Sequence, residues 1–377
     1  MSHASGPGLP DVAGRAELQQ RLRDTARRDR MPQSLLFYGP EGVGKQTLAL
    51  WTAALLQCQD PGPCGSCRSC RLATRLEHPD IHWHFPLVKP KKTGTPKKFR
   101  EKLEEARLQE LDRRRTQPLT APEDDGVTGI YLAAVEEIRS QAARRPASSQ
   151  STVFVIGDAD QMVPQQSSPW AANAFLKLLE EPPPYAYIIL TSSRPNALLP
   201  TIRSRTLSVR LPPIGDGDVV EFLTDRMDLD RGAAKKTARL AQGSIGHAVR
   251  LAAGQETERG SQAASLLAAA LSAEDSARHA AALSFTARGA RGEFSLLLSA
   301  LAGLLRDLLS VAAGAGELAL DPELAQRITR HRPLSTQGLV LAIDYVEEAL
   351  LAASGNANPQ AVAATLLFDI HEALGPA

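Results

Sequence analysis

The chain has 377 residues, of which 43% are hydrophobic and 23% charged, and its formal net charge is +1 at pH 7. This length exceeds the size at which a single hydrophobic core stops growing, so two or three domains are expected. The small net charge excludes a strong global attraction to nucleic acid, and no uninterrupted apolar run approaches the roughly 20 residues of a membrane-spanning helix. The first twenty residues lack a basic stretch followed by an apolar one, which predicts no secretory signal and a reducing cytoplasm.

Strand-like and helical segments alternate from about residue 15 to residue 211, a pattern typical of an α/β domain with a parallel sheet and helices on both faces. Continuous apolar runs at 34–39, 152–159 and 185–193 predict strands buried on both sides. Residues 87–126 are rich in Lys, Arg and Glu, which predicts an insertion with one solvated helix over 99–115. The five lysines between Lys89 and Lys98 could touch DNA or a partner, although a charge run is more typical of a solvated face.

The strand signal ends at residue 211. Helical segments at 216–227, 231–242 and 245–252 predict a small helical domain over 212–258. From residue 259 to 377 the chain is rich in Ala and Leu, with too many apolar positions for one face of an isolated helix. These helices are expected to pack on one another and on other subunits.

A glycine-rich segment, GPEGVGKQT, follows the first predicted strand and precedes a helical run, which is the context of a phosphate-binding loop. Its glycines let backbone N–H groups converge on phosphate oxygens, and its lysine supplies positive charge for the outer phosphates. The candidate nucleotide-binding residues are Gly39, Gly42, Gly44, Lys45, Gln46 and Thr47. A hydroxyl residue normally follows the lysine and ligates magnesium, but here Gln46 does. The pattern predicts ATP or ADP binding with doubtful Mg²⁺ coordination; the alternative is a glycine turn without ligand.

A P-loop ATPase also needs a carboxylate at the end of the neighbouring strand to hold Mg²⁺, and usually a second to orient the attacking water. In one register of VFVIGDADQM, Gly157 takes the place of the first acid and Asp158 that of the second. If the strand is shifted by one, Asp158 becomes the metal ligand and Asp160 a distant second. Both registers break the acidic pair. Together with Gln46, this predicts a catalytically silent module.

All four cysteines lie within thirteen residues, spaced Cys-x5-Cys-x2-Cys-x2-Cys: Cys58, Cys64, Cys67 and Cys70. Four thiolates can surround Zn²⁺ tetrahedrally, and a cytoplasmic chain makes disulfides improbable. Such a site has no open position, so its role is predicted to be structural. The alternative is a chance cluster of free thiols. His78, eight residues further on, is interpreted as a structural loop residue.

The order of these motifs resembles the bacterial clamp loaders, the family of AAA+ proteins that includes the delta-prime and gamma/tau subunits of DNA polymerase III. The resemblance covers about residues 15–250 and rests on the P-loop, the cysteine segment, HPD (78–80), NAFLKLLEEPP (173–183) and TIRSRT (201–206). It implies an AAA+ P-loop domain over 1–211 with a zinc module (58–70) and a charged insertion (87–126), a lid over 212–258, and a collar-type oligomerisation domain over 259–377.

In this family the segment that Ser204 and Arg205 match carries an arginine that reaches the ATP site of the neighbouring subunit. The resemblance therefore implies that Arg205 acts in trans, like an arginine finger. The usual third residue of the motif is cysteine, whereas here it is Thr206. The implied partners are gamma/tau-type and delta-type subunits, the sliding clamp and primer-template DNA reached through the complex. The implied location is the cytoplasm, at the nucleoid-associated replisome, with no membrane.

Two further positions bear on the type of subunit. Active relatives carry a nucleotide-sensing arginine where this chain has Gly246 and His247, which favours the non-hydrolysing delta-prime type. Ser192 or Ser193 holds the place of the residue that contacts the γ-phosphate, although a lone serine at a strand end is more often an ordinary cap. The alternatives are an active gamma/tau-type ATPase and an unrelated P-loop kinase or NTP-dependent enzyme; the latter would give no reason for the cysteine module and the Ser-Arg motif to occur together.

Overall fold

The computed structural model describes most of the chain, namely residues 12–60, 62–90, 94–117, 128–162, 170–285, 291–354 and 357–375. The chain divides into two compact units, the first ending at Val249 and the second containing the residues from Arg250 onwards. Parts of two predicted regions, 1–11 of the AAA+ domain and 118–126 of the insertion, lie outside the described residues.

The first unit is built on a five-stranded parallel sheet with the strand order β2-β5-β6-β1-β7. A separate antiparallel pair is formed by β3 and β4. The strands are β1 Ser34–Tyr38, β2 Ile81–His84, β3 Leu87–Val88, β4 Thr128–Gly129, β5 Thr152–Ile156, β6 Ala186–Ser192 and β7 Leu207–Arg210. The three strands predicted from apolar runs are confirmed as β1, β5 and β6.

Helices cover both faces of this sheet, as predicted. The helices up to residue 211 are α1 Ala16–Arg27, α2 Lys45–Gln57, α3 Arg68–Thr74, α4 Pro96–Thr116, α5 Leu132–Ala142, α6 Trp170–Glu180 and α7 Pro200–Arg203, and those that follow are α8 Asp216–Met227, α9 Arg231–Ala241 and α10 Ile245–Ala252. Alternate residues of a strand point to opposite faces. Val155 of β5 accordingly shares one core with Trp51 of α2, and its neighbour Phe154 shares the other with Phe175 of α6.

The helix predicted over 99–115 is confirmed in position, and its residues are exposed or half-buried except for Leu103 and Leu111. It begins at Pro96, capped by Thr95, whose Oγ1 accepts from the N–H of Lys98. Leu103 and Leu111, two turns apart on one face, are 4% and 9% exposed and belong to the core that contains α2. A helix with two buried leucines is fixed to the domain and is not merely solvated.

Within the described residues, the elements that follow β7 are all helices. The first three, α8, α9 and α10, confirm the three helices predicted after residue 212. The second unit contains α11 Gln255–Ala270, α12 Asp275–Leu283, α13 Arg291–Ala312, α14 Pro322–His331, α15 Thr336–Ser354 and α16 Pro359–Leu374. Helix α11 runs across the predicted boundary at 258/259.

Helix α13 is the central helix of the second unit. Its Phe294–Ala312 stretch, with a mean hydropathy of 1.7, is long and apolar enough to cross a membrane by length and composition, and half of it is buried. Leu298, Leu301 and Leu305 are fully buried in the core shared with α15 and α16. That burial is the packing of a core helix in a helical bundle.

Candidate functional site

The carboxyl ends of three neighbouring strands meet at one edge of the sheet. Strands β5, β6 and β1 lie side by side, with Ile156 opposite Leu190 and Tyr38 opposite Ser192. The phosphate loop follows β1, the candidate acids follow β5, and the candidate sensor serine ends β6. The fold therefore gathers the three segments that the sequence marks as a nucleotide site, at the edge where parallel sheets bind ligands.

The lysine of the phosphate loop is bonded to the loop itself. Lys45 is 5% exposed, and its Nζ donates to the carbonyl oxygens of Gly39 at 3.0 Å and Pro40 at 2.7 Å. Burial lowers the pKa of Lys45. To reach a phosphate, this ammonium group would have to leave both carbonyl oxygens, so nucleotide binding requires a local rearrangement.

The same loop is covered by the start of α10. Ser244 Oγ donates to the carbonyl oxygen of Glu41 at 3.0 Å, and the N–H of Gly246 donates to that of Gly42 at 3.0 Å. Gly42 has φ +73°, and a Cβ there would lie 2.2 Å from Ser244 Oγ, so this close approach requires glycine. At the place of the sensing arginine, Gly246 thus contributes only a backbone N–H, while the N–H of His247 donates to Ser244 Oγ.

The metal half of the site is filled by an amide. Gln46 Nε2 donates to Asp158 Oδ2 at 2.8 Å, and a Cβ on Gly157 would lie 3.0 Å from Gln46 Cδ. Positions 157 and 158 thus both face Gln46, and of the two only Asp158 supplies a carboxylate. Thr47 is exposed. Magnesium does not fit this arrangement, because an N–H donor occupies the carboxylate and the expected hydroxyl ligand is missing.

An arginine from the insertion helix lies behind this amide. Arg114 Nη1 donates to Gln46 Oε1 at 3.2 Å, and its Nε donates to Glu110 Oε1 at 2.7 Å. Its guanidinium carbon lies 3.9 Å from the ring centroid of Phe85 and 4.5 Å from that of Trp83. The side chain is 17% exposed. A permanent positive charge is thus fixed next to the place of the metal, which further disfavours a divalent cation.

The second candidate acid is bonded elsewhere. Asp160 Oδ1 accepts from Ser192 Oγ at 2.8 Å, and its Oδ2 accepts from Arg194 Nε at 3.1 Å. Ser192 is fully buried and Ser193 half-buried. Asp160 and Ser192 therefore form a strand-end network that ties the segment after β5 to the end of β6.

The candidate trans-acting arginine lies at the surface, after α7. Arg205 is 36% exposed, and its Nη2 pairs with Glu180 Oε1 at 2.8 Å. Its Nη1 donates to the carbonyl oxygen of Thr201 at 3.2 Å. The guanidinium is thus held at the surface within reach of another molecule.

The four cysteine sulfurs form a compact cluster around the start of α3. The Sγ atoms of Cys58 and Cys67 are 4.0 Å apart, those of Cys64 and Cys70 are also 4.0 Å apart, and all four lie within 4.8 Å of one another. A tetrahedral ion with Zn–S bonds of about 2.3 Å separates its sulfurs by about 3.8 Å. The four thiols therefore could hold one Zn²⁺.

Backbone N–H groups donate hydrogen bonds to sulfurs of this cluster. The N–H groups of Cys64, Cys67 and Cys70 each donate to the sulfur of the preceding cysteine at 3.3–3.5 Å. The hydrogen bond from Ser66 Oγ, with these backbone contacts, lowers the pKa of Cys64 to about 6, whereas burial raises that of Cys70. Such N–H donors stabilise thiolate sulfur and orient it toward a metal.

A family model described as DNA polymerase III, delta subunit matches residues 14–215. The chain belongs to this family. A relative called DNA polymerase III subunit delta′ from Bacillus subtilis is 27% identical over 246 residues, covering 64% of this chain and 61% of the relative. Another subunit delta′, from Escherichia coli, is 26% identical over 349 residues, covering 91% of this chain and 90% of the relative. The match thus spans less than two thirds of the first relative and nine tenths of the second.

A solved structure that overlaps this member of the DNA polymerase III delta-subunit family is a gamma-subunit-related protein from Thermotoga maritima. It has 15% sequence identity, a TM-score of 0.44, and coverage of 93% of this chain and 98% of that chain. The overlap is too loose to carry an assignment.

Arg114 is the site residue that the sequence did not reveal in this family member. It follows Leu103 by eleven residues and Leu111 by three, so it lies on the buried face of α4. The spacing from Leu103 and Leu111 indicates that Arg114 faces the core. The run of three arginines at the end of a charged helix instead indicates a solvated face, and the sequence analysis followed this second indication.

Asp158 gives this site a pH dependence. Burial is the main cause, and repulsion from Asp160 the second, that raises the pKa of Asp158 from 3.8 to about 6. The folded state thus binds this proton more tightly than the unfolded state, so ionisation of Asp158 costs stability. The cost is fully present above about pH 6 and absent below about pH 4.

Asp158→Asn is therefore expected to raise the free energy of unfolding by about 1–2 kcal/mol at pH 8 and to change it little at pH 4. Asparagine keeps an acceptor for Gln46 and tolerates the φ of +46° at this position. Denaturant unfolding at the two pH values measures the difference, with the exposed Asp225→Asn as a control that should change little. A variant that loses stability at pH 8 would contradict the argument.

Proposed function

We propose that this chain is a delta-prime-type component of a bacterial DNA polymerase III clamp loader. It assembles with gamma/tau-type ATPase subunits and a delta-type subunit, does not hydrolyse ATP itself, and presents Arg205 to the nucleotide of a neighbouring subunit. In this way it assists loading of the sliding clamp on primer-template DNA. The location that goes with this function is the cytoplasm, at the nucleoid-associated replisome.

The observation that carries the non-hydrolysing part is the hydrogen bond from Gln46 to Asp158. In a P-loop ATPase the corresponding pair, a hydroxyl and a carboxylate, holds Mg²⁺, which neutralises charge as the β–γ bond breaks. Here an amide donor satisfies the carboxylate, and Arg114 lies on the other side of the amide. Lys45 is bonded to loop carbonyls as well. These contacts support weak ATP or ADP binding without turnover.

The remaining assignments belong to the same proposal. Cys58, Cys64, Cys67 and Cys70 would hold a structural zinc that stabilises the segment after α2. The helices between residues 212 and 258 would form the lid, and those from residue 259 onwards the collar through which the subunits assemble. The second unit is wholly helical within its described residues, which agrees with this use.

The second candidate function is an active gamma/tau-type ATPase, which rests on the intact glycines and Lys45 of the phosphate loop. ATP hydrolysis by the purified chain separates the two. We expect no magnesium-dependent turnover above that of Lys45→Ala, because the metal ligands are missing. Steady hydrolysis by the wild-type chain that disappears in Lys45→Ala would favour the gamma/tau type.

A further inference from the structure

The NAFLKLLEEPP segment contains two adjacent glutamates, Glu180 and Glu181, and Glu180 contacts the candidate trans-acting arginine. Glu180 is the last residue of α6, and its Oε1 lies 2.8 Å from Arg205 Nη2. The two side chains are 47% and 36% exposed, so the pair lies at the surface, where a neighbouring subunit can approach. We propose that Glu180 positions Arg205 for its action on the neighbour's nucleotide, an inference that rests on the proposed function.

The helix itself gives no reason for a glutamate at this place. A carboxylate at the C-terminal end of a helix faces the negative end of the helix dipole, which is unfavourable. Helix α6 is fixed instead by its buried face, which includes Ala172, Phe175 and Leu179. The guanidinium of Arg205 is the group that offsets the unfavourable placement of Glu180.

The ion pair with Glu180 is one of two contacts that the guanidinium of Arg205 makes with the described residues. Arg205 Nη1 donates to the carbonyl oxygen of Thr201 in α7, and Nη2 is held by Glu180 at the end of α6. The backbone N–H of Arg205 also donates to the carbonyl oxygen of Ile202. Acceptors from two helices thus favour one conformation of the side chain before any partner binds. Among the described residues these contacts use two of the five N–H donors, which leaves three for phosphate oxygens.

A tethered arginine loses less side-chain entropy when it meets a phosphate, so pre-positioning favours its action. A nearby carboxylate has an opposing effect, because its negative charge repels the phosphate. The two effects respond differently to substitution. Glutamine keeps an acceptor oxygen for Arg205 and removes the charge, whereas alanine removes both.

The test uses the complex reconstituted from this chain and its cognate clamp-loader subunits. The quantity measured is the Arg205-dependent component of clamp- and DNA-stimulated ATP hydrolysis, defined as the difference between the wild-type complex and the Arg205→Ala complex. We expect Glu180→Ala to lower this component by about two- to fivefold, the range for an exposed ion pair. The loss should fall on kcat with KM nearly unchanged, because the contact acts in the transition state.

Three comparisons make the result specific. Glu180→Gln should keep most of the Arg205-dependent hydrolysis that Glu180→Ala loses, and Glu181→Ala should behave as wild type. In the Arg205→Ala background, Glu180→Ala should have no further effect. A gain of activity in Glu180→Ala, a result equal to that of Glu181→Ala, or a loss that persists without Arg205 would overturn the inference. If Arg205→Ala alone changes nothing, the proposed function and the inference are both wrong. If it lowers hydrolysis and Glu180→Ala does not, only the inference is wrong.

Discussion

Arg205→Ala is expected to lower ATP hydrolysis at the neighbouring subunit's site by up to about 10³-fold, the smaller end of the range for arginine fingers. A guanidinium is always charged and offers planar donors to phosphate oxygens, so it can stabilise charge that develops as the β–γ bond breaks. Because other subunits of the proposed complex would contribute sites of their own, the fall in total hydrolysis should be partial. Stimulated ATP hydrolysis by the reconstituted complex measures it.

The same substitution should do little to this chain's own fold. In the isolated chain Arg205 makes an exposed ion pair with Glu180, and such a pair contributes about 1 kcal/mol or less. Arg203→Ala is the matched control, because Arg203 is an exposed arginine two residues away whose Nη1 donates to Asn196. Normal hydrolysis at every partner site in an assembled Arg205→Ala complex would show that the trans-acting role is wrong.

The second large effect we expect is the loss of bound zinc when one of the four cysteines is replaced. The purified chain should contain one tightly held Zn²⁺. Cys67→Ser removes a ligand, so it should lower the affinity for zinc by more than the roughly 10–100-fold that follows loss of a hydrogen bond to a ligand. Cys67 is the cysteine whose sulfur accepts from the N–H of Cys70 and whose own N–H donates to Cys64, so it links three of the four ligands. Elemental analysis of chelator-free material measures the zinc content.

The free energy of unfolding should depend on zinc, because a metal that the folded cluster binds more tightly than the unfolded chain stabilises the folded state. Thermal unfolding of Cys67→Ser, or of wild type after chelation, should therefore occur at a lower temperature than that of untreated protein. Ser69→Ala is the control, since Ser69 lies between two cysteines and supplies no thiol. Zinc well below one per chain in wild-type material, or equal retention in the Cys67→Ser variant, would indicate a cluster of free thiols.

The sequence predicted the three strands that are continuous apolar runs and missed the strands that lack such a run. Strand β2, IHWH, contains two histidines and so lacks an apolar run, yet His84 is 3% exposed and pairs in register with Ile156. Burial lowers the pKa of His84 to about 3, which keeps it neutral in the core. Strand β7 lies at the edge of the sheet with mostly exposed residues, so its sequence carries no burial signal.

The site was predictable where the chemistry lies in one short segment. The cysteine spacing and the glycines with Lys45 identified both clusters from local sequence alone. The hydrogen bond from Gln46 to Asp158 was not predictable, because these residues are 112 positions apart and Asp158 has an unusual φ of +46°. Contacts such as that of Arg114 with Gln46 join residues 68 positions apart, and no local pattern encodes them.

The most direct test of the central claim is the rate of clamp loading by complexes that carry either Lys45→Ala or Arg205→Ala in this chain. If the chain presents an arginine and does not use its own phosphate loop for hydrolysis, Lys45→Ala should load clamps at the wild-type rate and Arg205→Ala should load them more slowly. The reverse pattern, with loading lost in Lys45→Ala and normal in Arg205→Ala, would contradict the account and identify this chain as a motor subunit.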